Sequence, residues 1–326
     1  MIQLRLVFIS VLVLGLAACS GSTGALYNPP GGNPPGGGGS YILVPNYGSP
    51  EGINEWNTTA NGNVAPQYQI TGASTTIVSP SAVTTDASGN LYVADFNANA
   101  IDVFAAGKYG NVAPERTIVG AATGINGPEG IGVDSAGEIF VSNRNGNSIT
   151  VYAAGASGNA PPIRTLTGGS TTLNAPQQLV VDSAGDITVA DGSPGSILYF
   201  AAGANGGAAP TWAISGASTN ISDAVGVAVD GSGNVYEENL ASPGDINVFD
   251  AGSHGNVAPN RTITSSAITF AEGIAVDSSG NIYESDCGAT GAINVFASTA
   301  YGASTPIRTI SGSNAQLRCA LKPWIF

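Results

Sequence analysis

Histidine and methionine each occur once in this chain, and lysine and arginine together only nine times against 22 acidic residues. A single histidine all but removes the side chain most used for general acid–base chemistry and for zinc. The shortage of cations, with a formal net charge of −13, excludes the phosphate-neutralising surface that nucleic-acid binding needs. Also lacking, beyond the first eighteen residues, is apolar spacing of three and four sustained over ten positions, so helices are expected to be scarce. Disorder is excluded as well, because 43% of residues are hydrophobic and only 10% charged. Glycine is what the chain has in quantity, 46 residues, as many short strands joined by tight turns require.

The one long apolar run, 6–18, follows Arg5 and is shorter than the roughly 20 residues of a membrane-spanning helix. It closes on Leu16, Ala17, Ala18 and Cys19, which looks like a bacterial lipobox. Residues 1–18 are therefore read as a lipoprotein signal peptide and Cys19 as the lipidated residue. Within 19–40, the stretch YNPPGGNPPGGGGS alternates stiff and free pairs and makes a spacer, not a core. The expected location is the extracytoplasmic side of a bacterial envelope, held to the membrane by lipid; Ser20 suits the outer membrane of a Gram-negative cell. Cys287 and Cys319 remain, an even pair in an exported chain, and are expected to form a disulfide.

Self-similarity dominates 41–326. NLYVADFNANAIDVFAAGKYGNVAPERTIVG at 90–120 returns as EIFVSNRNGNSITVYAAGASGNAPPIRTLTG at 138–168. Asp86, Asp134, Asp182, Asp230 and Asp277 mark one register, a period of about 48 residues. Each unit holds four strand-like pieces. The Asp-x-x-Gly between the first two is a turn in which Asp bonds backbone amides and Gly takes positive φ. It lacks the alternate oxygen ligands and closing glutamate of a helix-flanked calcium loop. The third piece reads Ile-x-Val-aromatic, as in Ile101/Phe104, and a strand apolar on both faces must be covered on both. The fourth carries Arg116, Arg164, Arg261 and Arg308 at one position, expected to guard an open outer edge.

Six copies of the second, third and fourth strands but only five internal first strands predict an all-β, six-bladed propeller. Its missing innermost strand would come from 317–321 at the C-terminus, closing the ring. The pair Cys287 and Cys319 would then lie across that seam. PEGIGVDSAGEIFVSN at 128–143 and AEGIAVDSSGNIYESD at 271–286 resemble the NHL repeat family of β-propellers. That resemblance implies the fold over nearly all of 41–321 and little about function, since members include protein-binding, RNA-binding, sensor and lyase domains.

A residue dictated by the fold should recur and a site residue should break the pattern; two rings of positions, one ending the second strands and one opening the first, are the ones to test. Asp95, Asn143, Asp191 and Asp286 end second strands, and Glu129 and Glu272 open first strands, all toward one face. Together they are the candidate ligand face, and their oxygens would suit a divalent cation in the central channel. The Asp/Asn members recur in every blade, which favours loop capping. No catalytic constellation stands out: His254 sits in a loop slot filled by unrelated residues elsewhere, and no nucleophile or phosphate-loop motif occurs. The leading reading is a binding or interaction module for a protein, glycan or small molecule, with no cofactor. The alternative is a metal-dependent hydrolase like the gluconolactonases, with carboxylates at the channel mouth.

Overall fold

The computed structural model of the protein describes residues 40–192, 194–240 and 243–326. The expected signal peptide, Cys19 and the spacer up to residue 39 therefore lie outside the described residues. Six antiparallel sheets follow one another round a closed circle, and among the described residues the only helices are two single turns, Ala73–Thr75 and Gly169–Thr171. This is a six-bladed β-propeller. In blade two, Pro80–Thr85 lies innermost, followed outward by Leu91–Asp95, Ala100–Phe104 and Arg116–Val119. Blades three to six repeat that order across 128–167, 176–214, 224–264 and 271–311.

The alternation of the strands accounts for the stacking. Apolar residues of each blade pack against those of the next, so a core cluster of its own fills each of the six junctions. The third-strand aromatics Trp56, Phe104, Tyr152, Phe249 and Phe296 are all buried. In the Asp-x-x-Gly turns the carboxylate does what the pattern requires. Asp86 accepts from the Ser88 and Asn90 amides at 2.9 and 3.0 Å, and its other oxygen meets the Tyr92 hydroxyl at 3.1 Å.

Blade one is assembled from both ends of the domain. Tyr41–Asn46, Gly52–Asn57 and Tyr68–Thr71 are completed on the inside by Trp324–Ile325, which pairs with Ile42 and Leu43. The closing strand thus lies beyond 317–321, although this segment leads into it: Ala320 bridges Asn46, Cys319 accepts from the Tyr47 amide and Leu321 donates to the Pro45 carbonyl, the two hydrogen bonds each at 3.0 Å. The physical reason is shared by the ring: first strands in the other five blades shift register just after their opening residue. Blade one repeats that break, and in it Lys322 turns toward the axis. A disulfide joins Cys287 to Cys319, Cα atoms 4.1 Å apart, across the junction of blades six and one.

The outer edges are not open. Each outermost strand pairs in parallel with a glycine of the following blade's third-to-fourth loop: Ile70 with Gly110, Ile118 with Gly158, Leu166 with Gly206, Ile214 with Gly255, Ile263 with Gly302 (and there Thr264 with Ala303), and Ile310 with Gly62. The contact is two-way, as where Gly158 donates to Thr117 at 2.7 Å and accepts from Val119 at 2.9 Å. The asparagine after the glycine adds a third bond: Asn111, Asn159, Asn256 and Asn63 accept from the amides of Ser74, Ala122, Ser218 and Asn314, each at 2.7 Å.

The arginines are consequently struts and not edge guards. Arg116, Arg164 and Arg261 lie over Tyr92, Phe140 and Tyr236 of their own blades. Arg261 and Arg308 reach on to carbonyls of the next blade, at Ser298, Ala300 and Thr58. With the edge already occupied by the neighbouring loop, the cation gains more from an aromatic face and half-buried oxygens than from solvent.

Candidate functional site

The Asp/Asn residues that end the second strands cap the loops entering the first strands. Asp95 accepts from Val78 and Ser79, Asn143 from Asn126, Asp191 from Asn174, and Asp286 from Thr269 and Phe270. All four are buried, and burial raises the carboxyls of Asp95 and Asp191, the latter to about 7, against the lowering effect of those amides. Glu129 and Glu272 are buried near the axis, two blades of the ring separating their strands from each other. Among the described residues no three Asp, Glu, His or Cys side chains gather as metal ligands. The sole histidine lies on an exposed loop, its Nδ1 2.9 Å from the Gly252 carbonyl.

The channel itself is plugged. Where blades two, three, five and six place Ala82, Gly130, Gly226 and Gly273, blades four and one place Gln178 and Lys322. Lys322 Nζ meets Glu129 Oε1 at 2.7 Å, both side chains buried. Gln178 donates to the Ile274 carbonyl at 2.9 Å and accepts from the Val227 and Ile274 amides. The small residues make room: a Cβ on Gly273 would come within 2.7 Å of Lys322 Cα. Below this plug remains a cavity of about 180 Å³ lined by aliphatic side chains such as Val83, Ile131 and Val276.

Two further groups of carboxylates break the repeat, outside the positions that end second strands or open first strands. The midpoint of the second strand is Val44, Val93, Val141 and Val189 in blades one to four, but Glu237 and Glu284 in blades five and six; Glu238 follows where other blades have Pro, Ala or Ser. All three are fully buried. Glu237 and Glu284 each accept from an asparagine of the third strand, Asn247 at 2.9 Å and Asn294 at 2.8 Å. Neither oxygen of Glu238 is hydrogen-bonded. Burial, and then the neighbouring Glu284, hold Glu238 well above the ordinary carboxylate range, and burial does the same for Glu237 and Glu284.

The other group centres on Glu55. The third-strand position it fills is Val103, Val151, Val248 and Val295 in four other blades. Beside it, blade one has Leu43 where blades two, three, five and six stack an aromatic, and Tyr68 where they carry arginine. At this place, where the aromatic–arginine strut is replaced, a cleft of about 340 Å³ lies between blades one and two, on the face of the Asp-x-x-Gly turns. Tyr68 and Tyr109 stack in its wall with centroids 4.3 Å apart, and Phe326 lines it as well. Of the three charged side chains described there, Glu55, Asp86 and Lys108, only Glu55 is buried, at 3% exposure. Burial pushes its carboxyl up to about 7, although the Tyr109 hydroxyl donates to it, and Oε1 is left without a hydrogen-bond partner. The sequence did contain the signal, a charge at an otherwise valine position, but it falls outside the two rings that the channel-mouth reasoning selects.

No family model matches the sequence, and no curated protein matches it. Solved structures do. The chain is similar to a putative 6-phosphogluconolactonase from Bacteroides uniformis, at 12% identity and a TM-score of 0.57, covering 90% of this chain and 87% of that one. It is similar to a chain of a nidogen/laminin complex at 14% identity and a TM-score of 0.61, covering 88% and 98%. A third likeness, to Kuenenia stuttgartiensis hydrazine synthase, has 12% identity and a TM-score of 0.52; it covers 70% of this chain and spans 66% of that one. At such identities the likeness is one of fold.

Proposed function

We propose that the protein is an extracytoplasmic binding propeller whose ligand site is the cleft between blades one and two. One observation carries this reading. The cleft lies where the repeat's own strut has been replaced, by Leu43 and Tyr68, and where a buried carboxyl replaces valine; blade four, which also lacks the strut, has Thr188 and a Trp212 stacked on Tyr199 instead. Its volume of about 340 Å³ falls in the range of small-molecule sites, and apolar and aromatic walls with a few polar groups are their usual make-up. Leu43→Tyr restores the repeat residue and should fill the cleft while keeping the fold. A fragment screen by ligand-observed NMR is expected to give hits on the natural protein that vanish in this variant. Hits that survive Leu43→Tyr unchanged would move the site elsewhere.

The gluconolactonase-like hydrolase is the weaker reading. Its carboxylates at the channel mouth are engaged by loop amides, and Glu129 by Lys322. The NHL-type resemblance of 128–143 and 271–286 and the lipid anchor at Cys19 belong to the same proposal: a repeat scaffold holding a binding site at the envelope surface. Metabolic labelling with an alkynyl palmitate in a bacterial host tests the anchor; label retained in Cys19→Ala would refute it.

A further inference from the structure

We infer that the cleft between blades one and two takes an organic cation, a primary amine or quaternary ammonium group, with its charge against Glu55 and its carbon against Tyr68, Tyr109 and Phe326. This rests on the cleft being the binding site. The Glu55 carboxyl is nearly out of solvent, and one of its oxygens is unmatched, in a wall where Leu43, Ile53, Leu91, Tyr68, Tyr109 and Phe326 are apolar or aromatic and Asp86 and Lys108 are the other charged side chains. A buried carboxyl oxygen without a partner is costly, and a ligand's positive charge offsets that cost, a primary ammonium adding N–H donors where a quaternary ammonium acts through charge alone. Aromatic side chains attract the same cation through their ring faces, an attraction that grows when water is excluded. An anion finds the opposite: Glu55 repels it, and the one cation present, Lys108, is exposed at the rim and not buried within.

The charge state of Glu55 makes the site sensitive to pH. The groups around it are the Tyr68 and Tyr109 hydroxyls, Asp86, engaged by its own turn and Tyr92, and Lys108. Burial raises Glu55 to about 7, so it is neutral in mild acid and ionises through neutrality. Cation affinity should therefore rise between pH 5.5 and 8, by on the order of thirtyfold if binding needs the carboxylate.

Tetramethylammonium and its neutral near-isostere tert-butanol, titrated against the folded domain by calorimetry or NMR at pH 5.5 and 8, test this. Expected are tetramethylammonium binding at pH 8, a loss of tenfold or more at pH 5.5 and in Glu55→Gln, and a gain in Lys108→Ala. Equal binding of tert-butanol, or acetate bound in preference, would overturn the cation while leaving the cleft a site. A cation affinity indifferent to Glu55→Gln, with that variant shown to be folded by its melting curve, would overturn it too. If no probe of any charge is displaced by Leu43→Tyr, both this inference and the site on which it rests fail.

Discussion

Four blades place valine at the midpoint of the second strand; blades five and six place glutamate there, and Glu238 adds a third carboxyl with no hydrogen bond. Each has its protonated form favoured by folding, because burial penalises the charge. The sign of the pH dependence follows. Between the unfolded carboxyl range and the raised folded one, the native state binds more protons, so stability falls as pH rises through that window. Asp191 and Glu55, each at about 7, act in the same direction. The protein is expected to melt higher at pH 5 than at pH 8 in circular dichroism. Glu238→Gln, which cannot ionise, should narrow that difference and exceed the natural protein at pH 8. A natural protein more stable at pH 8 would contradict the assignment.

At the scale of the elements, the recurring Gly-Asn of the third-to-fourth loop is the device that couples neighbours. Gly120 illustrates how closely the parts fit: φ is +129°, and a Cβ there would stand 2.4 Å from Asn159 Oδ1. Gly120→Ala should cost more than Asn159→Ala, which loses one capping bond worth about 1 kcal/mol; chemical denaturation would rank the two. The turns, the four-strand unit and its period are legible in the sequence because each is a local pattern repeated five or six times. The coupling is harder to read, since its partners stand about 40 residues apart and glycine looks like any other loop glycine. For the same reason the arginines were open to an edge-guard interpretation: their aromatic partners lie two strands away. Glu55 and the glutamates of blades five and six are visible as exceptions to valine, but only an alignment of middle strands exposes them, and reasoning from the channel mouth does not.

Considered whole, the ring is held at one junction by the C-terminal strand, by the Cys287–Cys319 disulfide and by Lys322 reaching the axis. Removing 317–326 takes away the inner strand of blade one, half of the Lys322–Glu129 pair and the wall that Phe326 gives the cleft. Truncation before Leu317 is therefore expected to lower the melting of the entire domain in a single transition, because every blade relies on its neighbours for cover. An unchanged melting temperature would show that the tail does not close the ring.

The six glycine contacts all point the same way, each blade gripped by its successor and the sixth by the first. The Tyr41 amide also bonds the Phe326 carbonyl at 3.0 Å, so the two ends of the domain already touch. A circle without a privileged starting point follows. Bridging Phe326 to Tyr41 with a short peptide and reopening the polypeptide in the crossing between blades four and five should yield a circular permutant with the same cyclic order of neighbours.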